Sequence, residues 1–440
     1  MSIRSVDRPS DATERVDLPL TSNMLLTLPQ ETVNEVIAHL HSDERALQYL
    51  SVVAKRLTEE CRRYLFASIH IASGADIFRW CHTIPPGDDG LSRYVRLLDF
   101  DTPSDGFWCL STLLRQHPAH LYSFTQVEQL KICPLDLRRH TEKDLLDSLG
   151  HLPSTVRSIY IRPAGDYSST LDFLALFPHL EATHIASPLI YQDPEVVGLP
   201  DLVRRGDLIL KDCRIDTGAN IFSCLTRPTS CYRRVVLGLV KMENPAPLER
   251  FFEACSGSLQ SIQFISCVFG ERQAQPLVAS YSYRRFEGPL VHCPSNLLSS
   301  LTELQEIKLS LRFYNDNDYF DVLTILSSVT STKITSVTLF VWGCPSPDSL
   351  GYFSLRWLKI ESALCRLWEL KKGTEPAGGV VVDVRFDRGG LADGILRLSE
   401  RGEFMPRFQE GGVVNVRTQP IDLKRVMDSI TPEGFRETPS

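Results

Sequence analysis

VRLLDF, residues 95–100, has the form apolar-x-x-apolar-x-apolar, and the form returns in VEQLKI at 127–132 and VRSIYI at 156–161. Alternating apolar positions in such short segments predict β-strands. Further copies of the form are Tyr232–Leu237, Leu259–Phe264, Leu304–Leu309, Ile334–Leu339 and Val381–Phe386, with weaker ones around Leu180/Ile185 and Leu208/Leu210. The strands therefore recur along most of the chain.

The spacing of these strands predicts a repeat. Their central residues fall at 98, 130, 159, 183, 208, 235, 262, 307, 337 and 384, so that successive gaps are 32, 29, 24, 25, 27, 27, 45, 30 and 47 residues. The first six gaps lie at or near the leucine-rich-repeat period of ~20–29 residues. The long later gaps predict inserted loops or helices.

Helical segments separate several of the strands. Examples are SDGFWCLSTLLRQ, SSTLDFLALF, PLERFFEACSG and DNDYFDVLTILSSV. In a repeat protein, the inward side of each strand packs on the apolar stripe of a helix, and stacked repeats bury that layer continuously.

This pattern resembles irregular leucine-rich repeats. In LQSIQFISC, Cys267 even occupies the Asn/Cys position of such a repeat. The resemblance implies an α/β fold with a curved leucine-rich-repeat-like solenoid. Alternation alone is also compatible with an ordinary α/β sheet.

A different pattern precedes the strands, in TLPQETVNEVIAHLHSDERALQYLSVVAKRL at 27–57. Thr27 with Gln30 has the spacing of a capping box, and Ser42 or Asp43 is expected to cap a second helix. A third helix, capped by Ser51, is expected to follow. Apolar residues at helical spacing mark the three helices: Val33, Val36, Ile37, Leu40, Leu47, Leu50, Val53, Leu57, Cys61 and Tyr64.

This segment resembles an F-box. The family's Leu-Pro-x-Glu opening is matched by Leu28–Glu31, and its Ile-x-x-Leu by Ile37–Leu40. Its second half, Leu-x-x-x-Ser-x-Val-Cys-Lys-x-Trp, is matched by Leu47–Leu57, although Ala54 and Leu57 replace the usual Cys and Trp. The closing YLFASIHI is similar to the tail of fungal members.

The F-box resemblance implies docking to a Skp-type adaptor, which tethers the protein to a cullin scaffold and a ubiquitin-conjugating enzyme. Apolar anchors at helical spacing suit a helix-in-groove contact. Each anchor is also suited to the core of the three-helix segment. The expected adaptor-facing or supporting residues are Leu28, Pro29, Val33, Ile37, Leu40, Leu50 and Val53.

The composition excludes several other classes of protein. The net charge of −7 and the pI of about 5.9 argue against nucleic-acid binding, which needs concentrated basic surface. The twelve cysteines include no C-x-x-C pair, as expected for buried thiols in a reducing compartment. Neither a secretory leader nor a run of ~18 apolar residues is present, so we expect a cytoplasmic or nuclear protein without a membrane partner.

Catalytic signatures are missing from the sequence. It contains no G-x-x-x-x-G-K-[ST], H-E-x-x-H or G-x-S-x-G, so we expect no catalytic, cofactor-binding or metal-binding residues. An enzyme with an unrecognised site is a further alternative to a protein that only binds partners. Aromatic and arginine residues near strand ends are weaker candidates for binding another protein: Tyr160, Arg162, Arg214, Arg312, Tyr314 and Trp342.

The expected domains follow from these patterns. They are a disordered tail at 1–24, an F-box-like helical domain at 25–71, an irregular leucine-rich-repeat array at 72–400, and a C-terminal cap and tail at 401–440. The resemblance implies a substrate-recognition subunit of a Skp-cullin-F-box E3 ubiquitin ligase, whose repeats bind an unknown protein substrate. The alternative is a leucine-rich-repeat interaction scaffold with no ligase role.

Overall fold

The structure is a computed structural model, and it describes most of the chain from residue 28 to residue 418. The described residues are 28–83, 86–87, 90–102, 106–135, 149, 152–163, 167–186, 205–211, 214–215, 222, 225–226, 231–238, 241–242, 245–265, 268–269, 295–312, 316–342, 350–373, 379–386, 390–401, 403–409 and 413–418. The predicted tail at 1–24, together with Thr27, Cys267 and Tyr314, lies outside them.

The chain divides into two compact units, with the described residues up to Arg157 in the first and those from Ser158 in the second. In its described residues the first unit contains three initial helices, three strands, four further α-helices and a 3₁₀ helix. Its elements are α1 (Gln30–His39), α2 (Glu44–Val53), α3 (Lys55–Leu65), β1 (Ser68–Ile71), α4 (Gly74–Thr83), a 3₁₀ helix (Leu91–Tyr94), β2 (Leu97–Asp101), α5 (Gly106–Gln116), α6 (Pro118–Tyr122), β3 (Gln129–Leu135) and α7 (Leu152–Thr155).

The second unit continues the alternation of strands and helices. Its elements are β4 (Ser158–Pro163), α8 (Tyr167–Ala175), β5 (Ala182–Ala186), β6 (Arg205–Lys211), β7 (Arg214–Ile215), β8 (Cys231–Gly238), β9 (Lys241–Met242), α9 (Ala246–Ala254), β10 (Ser261–Ile265), β11 (Val268–Phe269), β12 (Glu306–Arg312), α10 (Asp316–Ser328), β13 (Ser336–Trp342), α11 (Leu350–Lys372), β14 (Val381–Phe386), α12 (Gly390–Glu400), α13 (Pro406–Gln409) and β15 (Val413–Thr418).

The strands form a parallel sheet whose order follows the chain. Among the described residues this sheet has twelve strands, in the order β1-β2-β3-β4-β5-β6-β8-β10-β12-β13-β14-β15, and β7, β9 and β11 form a separate three-stranded sheet. The fold is thus α/β, with helices interleaved between parallel strands. The predicted curved leucine-rich-repeat-like solenoid is wrong.

The wrong prediction came from treating a strand pattern as a repeat pattern. All ten predicted strand segments contain a strand, because apolar-x-x-apolar-x-apolar suits any parallel strand that is covered on its faces. The connections, however, are not copies of one unit. The chain passes through α5 and α6 between β2 and β3, and through the 23-residue α11 between β13 and β14.

The pairing of β1, β2 and β3 places buried side chains next to one another in the first unit. Ile69 of β1 pairs with Leu98 of β2, which pairs with Leu130 of β3, and all three side chains are buried. The sheet therefore begins at β1, within the stretch that was assigned to the F-box-like domain. The predicted domain boundary at residues 71/72 stays a prediction.

Aromatic packing closes the core beneath several strands of the second unit. On α9, Phe251 lies 5.7 Å from the ring of Tyr232, and Phe252 lies 6.4 Å from the ring of Phe264. Both phenylalanines are fully buried. The PLERFFEA stretch thus forms a helix whose apolar face covers β8 and β10.

The predicted C-terminal cap and tail, 401–440, contains a strand, Val413–Thr418. This strand, β15, pairs in parallel with β14, from Val413 opposite Val381 to Thr418 opposite Phe386. Residues after 418 lie outside the described part of the chain, so the predicted tail stays a prediction.

A row of ionisable side chains crosses the sheet of the first unit. His70, Asp99 and Lys131 are partners in register on β1, β2 and β3. The ammonium of Lys131 lies 3.2 Å from Asp99 Oδ2 and 3.1 Å from Asp101 Oδ2, and its side chain is buried. Burial by itself favours the neutral amine, but attraction by the two carboxylates outweighs it and raises the pKa of Lys131.

Replacing Lys131 with Met is expected to destabilise the protein by about 3 kcal/mol, because it leaves two carboxylates near the sheet without their shared cation. The free energy of unfolding in urea measures this. Lys333→Met is the control, since the Lys333–Glu303 pair has a lysine side chain 52% exposed and should contribute less than about 1 kcal/mol. Equal losses in the two variants would contradict the assignment of Lys131 as a buried counter-ion.

His70 makes stability depend on pH in a defined direction. The hydrogen bond from its ring to Asp99 raises its pKa above the ordinary 6.5, so the stabilisation is complete below about pH 6.5 and is lost as the pH rises through the raised value. The stability difference between the wild type and His70→Asn should therefore shrink with rising pH, as measured by urea unfolding. A difference that grows with pH, or that persists unchanged in an Asp99→Asn background, would contradict it.

Candidate functional site

The three helices of residues 30–65 form around their own small core. Val33 and Ile37 of α1 pack with Leu47 of α2 and with Leu57 and Cys61 of α3, all of them buried. Burial also raises the pKa of the Cys61 thiol, as expected for an inert thiol in a core. Partly buried residues surround this cluster: Leu28, Leu40, Leu50, Ala54, Tyr64 and Leu65.

Local hydrogen bonds set the ends of these helices. Asp43 caps α2, because its Oδ1 accepts a bond of 3.0 Å from the backbone N–H of Ala46. Pro29 precedes α1 and Ala54 precedes α3, and neither helix start has a side-chain cap. The predicted cap by Ser51 is therefore wrong. The backbone carbonyl of Ser51 instead accepts a bond of 2.8 Å from Thr58 Oγ1.

Arg56 fastens the beginning of the segment to α3. Its Nη2 donates to the carbonyl of Leu28 at 2.6 Å, and its Nε donates to Gln30 Oε1 at 2.5 Å. These bonds span 26–28 residues of chain. They hold the Leu-Pro-x-Glu stretch against the third helix.

The predicted adaptor-facing residues divide by burial. Val33 and Ile37 lie inside the core of the three helices, so a partner cannot contact them without opening that core. Leu28, Leu40 and Leu50 are partly buried against the same cluster. Only Pro29 and Val53 of the predicted set are exposed.

A second apolar surface lies on the opposite side of α2. Tyr49, Val52 and Val53 are 69%, 80% and 41% exposed, and their i, i+3, i+4 spacing puts them on one side of the helix. We call this surface the α2 stripe. Sequence reasoning missed Tyr49 and Val52, although this spacing within LQYLSVV was the available signal.

The outer side of α3 is joined to the 3₁₀ helix of the same unit. Tyr94 Oη donates to Glu59 Oε2 at 2.6 Å, and Arg93 Nη2 lies 3.0 Å from the same oxygen. The hydrogen bond from Tyr94 is the largest cause that lowers the pKa of Glu59. The contact links α3 to the segment that leads into β2.

Among the described residues, one cluster could hold a metal ion. Cys81 of α4 and the histidines at positions 117 and 120 offer ligand atoms that all lie within 4.8 Å of one another. Sequence reasoning predicted no metal ligands and missed this set. The available signal was His117-Pro-Ala-His120, in which i, i+3 spacing puts two imidazoles on one side of a helical turn.

The weaker candidates for binding a partner lie on several strands, and Arg312 of β12 is in register with Trp342 of β13. Tyr160 is buried, with its ring 6.1 Å from that of His184, whereas Arg162 is exposed. Arg214, Arg312 and Trp342 lie in β7, β12 and β13, but their side chains are outside the description.

No family model matches the chain, and no curated protein matches it. Within the described residues, no helix combines the length and the apolar character that crossing a membrane requires.

Ile37→Ala is expected to destabilise the three-helix segment by about 2–5 kcal/mol, because Ile37 fills its core. Val52→Ala should change stability by less than about 0.5 kcal/mol, because Val52 is exposed. Hydrogen exchange of the α1–α3 amides, followed by mass spectrometry, reports both changes locally. Equal protection in the two variants would contradict the division into core and stripe.

Proposed function

We propose that this chain is the substrate-recognition subunit of a Skp-cullin-F-box type E3 ubiquitin ligase. The α2 stripe carries the proposal. The three helices satisfy their own core and still leave a tyrosine and two valines in solvent on one helix. An apolar surface of this kind is typical of a protein-docking site, and it lies within the segment that resembles an F-box.

The α2 stripe has the residue chemistry that helix-in-groove recognition uses. Tyr49 is the expected anchor, because tyrosines are enriched among residues that dominate binding energy. Val52 and Val53 add apolar area one turn further on. Pro29, also exposed, is the second point of contact in this proposal.

The proposed mechanism involves no catalysis by this chain. Docking of the three helices would hold a protein substrate, bound elsewhere on the chain, near a ubiquitin-loaded enzyme, and the rate would rise through effective concentration. We propose a cytoplasmic or nuclear location, where such a pathway operates.

An interaction scaffold without a ligase role is the second candidate. The observation in its favour is the Glu59–Tyr94 hydrogen bond, which attaches α3 to the remainder of the first unit. In that case the three helices serve to cover the start of the sheet. The two proposals differ in whether the α2 stripe meets a partner.

Binding to a purified Skp-type adaptor tests the ligase proposal. The variant Tyr49→Lys with Val52→Lys should weaken binding by about tenfold or more, because it puts charge into the apolar contact. Lysine at position 52 also suits folding, since a cation in the last turn of α2 is favourable. Titration of the full chain by calorimetry gives the affinity.

The matched control is Phe78→Lys on α4, where the native phenylalanine is 60% exposed. It should leave adaptor affinity unchanged. Equal affinities for the wild type, the double variant and the control would contradict the assignment of the docking surface to α2. No adaptor binding by the folded wild type would reject the ligase proposal and favour the scaffold.

A further inference from the structure

A cysteine and two histidines meet at the junction of two helices in the first unit, away from the α2 stripe in sequence. Cys81 lies in the last turn of α4 and is buried. His117 precedes α6 and His120 lies within it, and both are partly buried. Two segments separated by 36 residues thus bring one thiol and two imidazoles together.

The separations suit a shared ion. The ligand atoms of the three side chains lie within 4.8 Å of one another. A tetrahedral zinc ion, with bonds of about 2.3 Å to sulfur and 2.0–2.1 Å to nitrogen, needs ligand separations of roughly 3.3–3.6 Å. Side-chain rotations that bring the ligand atoms about 1 Å closer together would give tetrahedral coordination.

The hydrogen bond of His120 favours coordination by its other nitrogen. Its Nε2 lies 3.1 Å from the carbonyl oxygen of Cys81, and a carbonyl can only accept, so Nε2 carries the proton. The lone pair is then on Nδ1. A histidine that ligates a metal commonly donates its other N–H to a backbone carbonyl in this way, which fixes the tautomer and the ring orientation.

The imidazole of His117 has no capping role. His117 occupies the N-cap position of α6, yet it makes no side-chain bond to that helix. Its ring instead meets the ring of His120 edge-on, with centroids 5.7 Å apart. Both rings therefore face the same small volume as the Cys81 thiol.

We propose that Cys81, His117 and His120 bind a zinc ion, with a water molecule as the fourth ligand. One thiolate and two imidazoles suit this borderline-soft ion better than Mg²⁺ or Ca²⁺, which prefer oxygen. Three protein ligands leave one position open, and the partial exposure of both histidines gives solvent access to it.

Coordination exchanges one bond for another. The S–H bond of Cys81 breaks, its proton passes to solvent, and the thiolate forms the S–Zn bond without any change of oxidation state. The metal must displace this proton, because sulfur binds the ion as the thiolate. The ion then crosslinks α4 to α6, a helix of only five residues that has little stability of its own.

The test uses the full-length, reduced chain freed of metal and titrated with Co²⁺, which replaces zinc and reports ligands by absorption. We expect one equivalent to give thiolate-to-cobalt charge transfer and intense tetrahedral d–d bands, both abolished when Zn²⁺ is added. Cys81→Ser should remove the charge-transfer band. His117→Gln and His120→Gln should each weaken binding by about tenfold or more.

Two controls carry the same residue types outside the cluster. His82→Gln changes the exposed neighbour of Cys81, and Cys231→Ser removes an exposed thiol of the second unit; both should bind as the wild type does. Absence of the cobalt spectrum in the wild type overturns the proposal, and so does a Co²⁺ affinity that either histidine substitution leaves unchanged. If Cys81→Ser does not fold, the half-buried histidine variants decide.

Discussion

An interior strand of a parallel sheet must pair its backbone with two neighbours while elements on the sheet's faces cover its side chains. In the first unit this constraint aligns Ile69, Leu98 and Leu130 in one buried row. The same alignment forces the next row, His70, Asp99 and Lys131, to lie side by side on the opposite face. Charge can occupy that row because the buried Lys131 lies close to the carboxylates of both Asp99 and Asp101 and compensates them near the sheet.

Ten of the twelve described strands in the large sheet could be predicted from their motif, whereas β7, β9, β11 and the architecture could not. An apolar-x-x-apolar-x-apolar segment depends only on what one strand buries, so each segment identified its own strand. The link between neighbours depends on register, which the motif does not carry. Aligning motifs pairs Val337 with Val384, yet the structure pairs Val337 with Val382. A shift of two residues keeps the same side chains inward, and the pattern is therefore blind to it.

For the candidate site, the helices could likewise be predicted, but the roles of their side chains could not. Helical spacing correctly located three helices, but it could not tell which apolar residues face a shared core. Val33 and Ile37 fitted both a docking motif and a core, and in the structure they lie in the core. The cluster of Cys81, His117 and His120 was less accessible still, because its members lie in two segments whose meeting depends on the packing of α4, α5 and α6.

Opposite sides of the short helix α2 carry different apolar residues, so the proposed docking surface lies apart from the core of the three helices. Leu47 faces the core, and Leu50 packs at its edge. On α3, Glu59 is engaged by Tyr94. The α2 stripe is not needed for either contact, so polar substitutions there leave the buried cluster intact. A substitution at Tyr49 or Val52 therefore tests binding separately from folding, because neither side chain belongs to the buried cluster.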